Sequence, residues 1–309
     1  SDDLDEIMEV CDTLTVLRDG KIIRTFEKAE FEAGAIRASM IGRELQGDYY
    51  RSDFQASSQP EVALDVRNLV YADRLKGISF QVHKGEIVGI GGLAHCGMHS
   101  LGKVCFGALK PEEGSVTVED GTIIDSPAIA MKKRVGYVSK DRDVESLCLN
   151  ASIEDNISIA GMSEFAINNF LILKNREKKY VNHQIEELSI KCAGRDQSVS
   201  QLSGGNKQKV VFGKWIGCGS EILILDCPTR GVDIGVKQAM YQLMVRLKNE
   251  GKSILMISEE LPELIGMSDR ILIMKNGEVS AEFERSETLS DAQIIEYMIL
   301  RTGAYSKVI

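Results

Sequence analysis

The stretch QLSGGNKQKVVFGKWIGCGSEILILDCPTRGVD, Gln201 to Asp233, decides how the chain folds. Ser203 has a side-chain oxygen suited to a helix N-cap, and Gly204 and Gly205 follow it directly. Val210, Val211, Phe212 and Trp215 then recur at helical spacing, which predicts a helix over Asn206 to Trp215. A Ser-Gly-Gly turn feeding a helix aims several backbone N–H groups and the helix dipole at one point, a geometry that suits a phosphate. Beyond Gly217 and Gly219, the apolar run Ile222-Leu223-Ile224-Leu225 ends in Asp226. It reads as a buried parallel strand with one acid at its carboxyl end, where a carboxylate can hold the Mg²⁺ of a nucleotide.

This stretch resembles the signature and Walker B region of ABC-type ATPases. Its Leu-Ser-Gly-Gly-Asn-x-Gln-Lys-Val form and its Pro228-Thr229-Arg230-Gly231-Val232-Asp233 run are most similar to the ATP-binding subunits of monosaccharide importers. The resemblance covers residues 61–309. It implies an α/β fold of the P-loop NTPase type: a mainly parallel sheet flanked by helices, with a helical subdomain that carries the signature turn. It also implies ATP and Mg²⁺ as cofactors, and head-to-tail pairing with a second ATPase half or another copy. Each ATP site would then be shared, with the phosphate loop and Walker B acid from one half and the signature turn, Ser203 to Gly205, from the other. A permease in the membrane is the implied direct partner and an external or periplasmic solute-binding protein an indirect one.

Composition sets bounds on this reading. A chain of 309 residues can form one large or two ordinary domains. A net charge of −9 argues against a nucleic-acid partner. The seven cysteines are odd in number and form no Cys-x-x-Cys pair, which points to a reducing compartment rather than a disulfide frame. No run approaches the ~18 apolar residues that a membrane span needs. The expected location is therefore the cytoplasm, peripheral on the inner face of the plasma membrane.

The chain also repeats itself. At an offset of 257 positions, Ser1-Asp2-Asp3-Leu4-Asp5-Glu6 lies on Ser258-Glu259-Glu260-Leu261-Pro262-Glu263, Asp12 on Asp269, Gly20 on Gly277 and Phe26 on Phe283. Asp19-Gly20 and Asn276-Gly277 both read as tight hairpin turns. With one residue inserted, Met40-Ile41-x-Arg43 matches Met298-Ile299-x-Arg301. The expected division is a tail of a first ATPase half over 1–47, a polar linker over 48–60 and a second half over 61–309, with the rest of the first half upstream of Ser1.

Within that second half, Val62–Val70, Gly77–Val82, Ile87–Ile90, 134–138 and 252–257 read as strands. Residues 164–193 read as mostly helical, and Asp233 to Asn249 as an amphipathic helix with Val236, Met240, Leu243, Met244 and Leu247 on its apolar face. Tyr71 stands where the family places an aromatic on adenine; a strand-end tyrosine is the alternative.

Gly92-Leu93-Ala94-His95-Cys96-Gly97-Met98-His99-Ser100 has the context and the Gly92-to-Gly97 spacing of a phosphate-binding loop. A working loop has Lys and then Ser or Thr after the second glycine. Here Met98 and His99 occupy those places. Losing the lysine removes a charge-assisted bond of roughly 1.5–3 kcal/mol. Two other patterns overlap this loop. Gly89-Ile90-Gly91-Gly92-Leu93-Ala94 fits a dinucleotide fingerprint, but leaves 201–233 unexplained. His95, Cys96 and His99 could ligate a metal, though a fourth ligand is not apparent.

Further departures follow from the resemblance. Lys140 replaces the Gln or Glu of the loop that faces the membrane subunit, Cys227 the Glu that orients the attacking water, and Glu259 the switch His at the γ-phosphate. Asp226 remains as the metal-binding acid, and Asp233 lies in the turn that pairs the halves. The expected function is an ATP-binding subunit of an importer for a sugar-like solute, with an intact signature turn and an own site deficient in hydrolysis. A non-hydrolysing regulatory module or truncated remnant, and a soluble ABC protein outside transport, are the alternatives.

Overall fold

The computed structural model describes residues 4–18, 21–41, 49–167, 171–299 and 306–308. The main sheet has seven strands: β5 (Ile87–Gly92), β7 (Val135–Val138), β10 (Ile222–Asp226), β11 (Ser253–Ile257), β12 (Arg270–Lys275), β13 (Glu278–Glu284) and β14 (Ser306–Val308), in the order β14-β13-β12-β5-β11-β10-β7. Strands β12, β5, β11, β10 and β7 run parallel, and β13 turns back antiparallel to β12. The parallel strands are nearly continuous apolar runs, as expected where both faces are covered. Their carboxyl ends therefore lie along one edge, where Gly92, Val138, Asp226 and Ile257 each hand over to a loop. A second sheet, antiparallel, pairs β3 (Val62–Tyr71) with β4 (Leu75–His83) and β6 (Glu113–Val118).

Helices cover the main sheet. The helix after the phosphate-loop sequence, α3 (Met98–Cys105), packs against β5, β10 and β11. Helix α4 (Pro127–Lys132) lies on β7, α9 (Ile234–Asn249) on β11, α10 (Leu261–Met267) on β5 and α11 (Asp291–Ile299) on β12. The apolar face read in α9 is buried at Met240, Leu243, Met244 and Leu247, and Val236 packs half-buried beside it.

A helical layer holds α5 (Ile153–Ser158), α6 (Met162–Phe165), α7 (Lys174–Glu187) and α8 (Gly204–Gly217). Here the structure corrects the reading of 164–193 as mostly helical. The short strands β8 (Ala166–Ile167) and β9 (Leu171–Ile172) pair within that range, and α7 stops before Ser189, whose φ is +50°. A left-handed residue without glycine's freedom ends a helix in the same way as a glycine does, but leaves no composition signal.

The internal repeat is visible in three dimensions. Helix α1 (Leu4–Val10), strand β1 (Thr13–Arg18) and strand β2 (Lys21–Glu27) have bounds that fall on those of α10, β12 and β13 at the same 257-residue offset. Helix α2 (Ala33–Ile41) falls on α11 with the one inserted residue. The irregularity between Val16 and Leu17 in the first hairpin recurs between Ile273 and Met274 in the second. Asn276 and Gly277 have φ of +51° and +88°, as a tight hairpin turn requires. The matching Asp19-Gly20, and Asp2, Arg43 and Arg301, lie outside the described residues. Leu4, Leu14, Val16, Phe26 and Ile36 form a core separate from the main one.

Residues 49–60 contain neither helix nor strand, yet they are strapped to the domain. Tyr49 and Tyr50 meet Tyr241 with ring centroids at 5.4 and 5.1 Å. Buried Arg51 donates to Asp269 at 2.9 Å. Asp269, itself buried, also accepts from the Ile87 amide at 2.8 Å and the Ser57 amide at 3.2 Å, and pairs with Lys248 at 3.0 Å. Arg285 reaches the carbonyl of Asp53 at 2.6 Å and that of Arg51 at 3.1 Å. Asp269 thus joins the strap, β5 and α9. Asp269→Ala leaves buried Lys248 without its carboxylate partner, while Arg51 keeps Asp53, and is expected to cost about 3–5 kcal/mol of unfolding free energy in a urea melt.

Candidate functional site

The loops at the carboxyl edge of the parallel sheet bring together residues that are far apart in the chain. Asp226 ends β10 and is fully buried. Its two oxygens are both engaged: Oδ1 lies 2.7 Å from His99 Nδ1, and Oδ2 accepts from the Tyr137 hydroxyl at 3.2 Å. His99 sits in the first turn of α3 and Tyr137 in β7, so the register of three elements converges on one carboxylate. On the far side of the imidazole, Lys140 Nζ is 3.1 Å from His99 Nε2 and 2.6 Å from Glu259 Oε1. Glu259 is also 3.4 Å from His99 Nε2. With Lys140 a cation and Asp226 an anion, the neutral tautomer that satisfies both has Nδ1–H donating to Asp226 and Nε2 accepting from Lys140.

The electrostatics follow from these contacts. The hydrogen bond and charge of Lys140 hold the Glu259 carboxyl below its ordinary range. Burial, reinforced by Asp226, pushes the Tyr137 hydroxyl up, so it stays a donor. Cys227, the residue after Asp226, is 7% exposed, and burial first, then the Asp226 and Glu259 charges, raise its thiol far above the ordinary value. Its φ is +49°, and its amide donates to the Ile257 carbonyl at 2.8 Å.

The phosphate-loop sequence forms the expected turn between β5 and α3. Gly97 is the N-cap of α3 at φ +104°, and a Cβ there would meet the Arg74 carbonyl oxygen at 2.1 Å. Only glycine satisfies both the angle and the approach. Gly92, at the end of β5, faces the Met274 carbonyl and Cys96. Met98 is buried in the core and brings no charge to the turn. Ser100 is buried one residue further along α3. Tyr71 ends β3, half-buried against the main core.

The metal reading based on His95, Cys96 and His99 is not what the fold assembles. His95 is exposed and Cys96 is buried beneath the turn, while His99 points at Asp226 and Cys227. Nor do the residues fit an octahedral Mg²⁺ shell made of oxygens. The hydroxyl position holds an imidazole and the position after Asp226 holds a thiol, so Asp226 is the oxygen donor among the three.

The signature turn has its own surroundings. Ser203 is the N-cap of α8, but its hydroxyl caps no backbone amide; it accepts from Asn206 Nδ2 at 2.9 Å. A Cβ on Gly204 would meet Arg142 Nη2 and the Gly231 carbonyl, each at 3.0 Å, and one on Gly205 would meet Val236 at 2.6 Å. Asp233 is the exposed N-cap of α9 and accepts from the Val236 amide at 3.0 Å. Arg142 donates to the carbonyls of Arg230 at 2.6 Å and Gly231 at 3.2 Å, tying the loop after β7 to the turn before Asp233.

Sequence reasoning missed three contributors: Tyr137, Arg142 and Glu263. Buried Glu263 accepts from Thr229 at 2.7 Å and from Ser258, linking the loops after β10 and β11. For Glu263 a signal existed, since it matches Glu6 in the repeat. Lys140 and Glu259 were each read alone, and the pairing of an unexpected cation with an unexpected anion was the signal left unused.

Comparison with known proteins agrees with this geometry. Residues 75–230 match the family described as ABC transporter. The ribose import ATP-binding protein RbsA of Clostridium tetani is 37% identical over 297 residues, covering 96% of this chain and 58% of the relative. That of Bacillus subtilis is 38% identical over 301 residues, covering 97% and 59%. The chain thus spans less than two thirds of the length of these relatives. A nucleotide-free ATP-binding cassette from an ABC transporter superposes with a TM-score of 0.64 at 24% identity, covering 78% of this chain and 100% of that one, which establishes the P-loop NTPase fold. Through the match over residues 75–230, this chain is a member of the ABC transporter family.

Proposed function

We propose that this chain is part of the ATP-binding subunit of an importer for ribose or a similar sugar, and that it serves the assembly through its signature turn rather than through hydrolysis in its own site. The observation that carries this is the contrast between the two halves of the ATP machinery on one chain. Ser203, Gly204 and Gly205 keep the form that presents backbone N–H groups at a helix start. At the carboxyl edge, by contrast, the Asp226 carboxylate is hydrogen-bonded by His99 and Tyr137, and Glu259 is paired with Lys140. Hydrolysis needs a cation on the phosphates, a positioned carboxylate for water and a γ-phosphate sensor. Met98, Cys227 and Glu259 supply none of these, and Mg²⁺ binding in this site is weak or absent.

On this reading, residues 1–47 are the end of a first ATPase half, 48–60 join it to the second half at 61–309, and the catalytic site is completed by Ser203 to Gly205 acting on the other half's triphosphate. The partners are that first half, a permease and, through it, a solute-binding protein. The assembly sits on the inner face of the plasma membrane. On the same reading Tyr71, half-buried at the end of β3, is the residue that meets the adenine, and exposed Asp233 the one that meets the opposite half.

The test compares ATP turnover of the assembled transporter carrying one of two substitutions. Ser203→Arg is expected to lower turnover by at least about 100-fold, the scale on which a transition-state contact acts. Asp226→Asn is expected to lower it by less than about threefold, far below that scale. The opposite ranking would place hydrolysis in this chain's own site and overturn the reading.

A further inference from the structure

Two of the departures at the carboxyl edge, His99 and Cys227, share one consequence. Together with Asp226 they exchange a set of hard oxygen donors for a mixed one. His99, Asp226 and Cys227 bring an imidazole nitrogen, a carboxylate oxygen and a sulfur within 4.8 Å of one another, with Asp226 and Cys227 buried and His99 partly so. Around a tetrahedral zinc, such atoms stand roughly 3.3–3.8 Å apart. The spacing here is therefore within one side-chain rotation of a coordination sphere. Nitrogen and sulfur donors favour zinc-like ions over magnesium.

We propose that this site binds a zinc-class divalent cation through His99 Nδ1, Asp226 Oδ1 and Cys227 Sγ, leaving a fourth position open.

The surroundings have the form of an outer shell. The Tyr137 hydroxyl holds the other oxygen of Asp226 at 3.2 Å, and the Glu259 carboxylate stands 3.4 Å from the far nitrogen of His99. Metal-bound imidazoles characteristically donate their other N–H to such a carboxylate. Binding moves the imidazole proton from Nδ1 to Nε2, where it faces Glu259, and releases the Cys227 thiol proton to solvent. Lys140 stays on Glu259, its partner at 2.6 Å. The Cys227 backbone is set in the left-handed region at φ +49° and donates its N–H to the Ile257 carbonyl at 2.8 Å, and its sulfur lies with the His99 and Asp226 donors. The Met98 position is irrelevant to such an ion. The inference goes beyond the importer reading, and its test needs neither nucleotide nor permease.

The experiment titrates Co²⁺, as a spectroscopic substitute for Zn²⁺, into the metal-free, reduced full chain. The expected result is one equivalent bound with thiolate-to-cobalt charge-transfer absorption in the near ultraviolet, displaced by one equivalent of Zn²⁺ but not by Mg²⁺. Cys227→Ser, which leaves the other six cysteines in place, should abolish that absorption. His99→Ala should weaken Co²⁺ binding by at least about tenfold. Removing the competing ammonium with Lys140→Met should tighten it. Circular dichroism melts of each variant in chelator confirm that it is folded. Charge-transfer absorption that persists in folded Cys227→Ser, or the absence of stoichiometric Co²⁺ binding by the unsubstituted chain, overturns the proposal.

Discussion

A carboxylate at the end of a buried parallel strand has no water to solvate it, and the carboxyl edge of this protein is organised by that constraint. Asp226 is completely shielded. An unpaired buried charge of this kind would cost several kcal/mol. His99 and Tyr137 meet the need from α3 and β7, one on each oxygen. The rest of the site follows from this. With Nδ1 set against Asp226, the far nitrogen of His99 faces Lys140 and Glu259. The charge on Lys140 is balanced in turn by Glu259. Three of the residues that depart from the family's pattern, His99, Lys140 and Glu259, are thus partners of one another, and the loops after β5, β7, β10 and β11 are tied by side chains.

Much of the architecture was legible in the sequence because the parallel core speaks through local signals. Ile222-Leu223-Ile224-Leu225 could hardly be anything but a strand covered on both faces, and α9 announces itself by its apolar stripe and Asp233 cap. The Gly92-to-Gly97 spacing marks the phosphate-loop turn, and the repeat marks residues 1–47 as a second copy of the chain's end with a hairpin in it, though not its helices. Features that depend on tertiary contact were not legible. Ser189 ends α7 in a left-handed conformation with no glycine to mark it. Ser203 occupies the N-cap but gives its oxygen to Asn206 instead of the backbone. Residues 49–60 look like a polar linker by composition, yet Arg51 is buried against Asp269, and Tyr49 meets Tyr241 edge-on while Tyr50 packs on it at a tilt.

The site divides in the same way. Substitutions at Met98, His99, Cys227 and Glu259 could each be read from the chain, and each reads as a loss. That Lys140 and Glu259 form a pair, and that His99 turns to Asp226 rather than to Cys96 and His95, depends on which loops the sheet brings side by side. The two copies of the repeat show how far context decides a residue's role. Asp12 and Asp269 stand at equivalent positions, yet Asp12 is exposed, whereas Asp269 is buried and bound by Arg51, Lys248 and two backbone amides.

The central claim is that the donors gathered at the carboxyl edge, an imidazole and a thiol beside the Asp226 carboxylate, do not suit the magnesium that accompanies a nucleotide. The most direct measurement is the affinity of the purified chain for a fluorescent ATP analogue, titrated with magnesium and again in excess chelator. The account predicts that the two binding curves coincide to within about twofold. A gain of about tenfold or more with magnesium, equivalent to roughly 1.4 kcal/mol of added interaction, would contradict it.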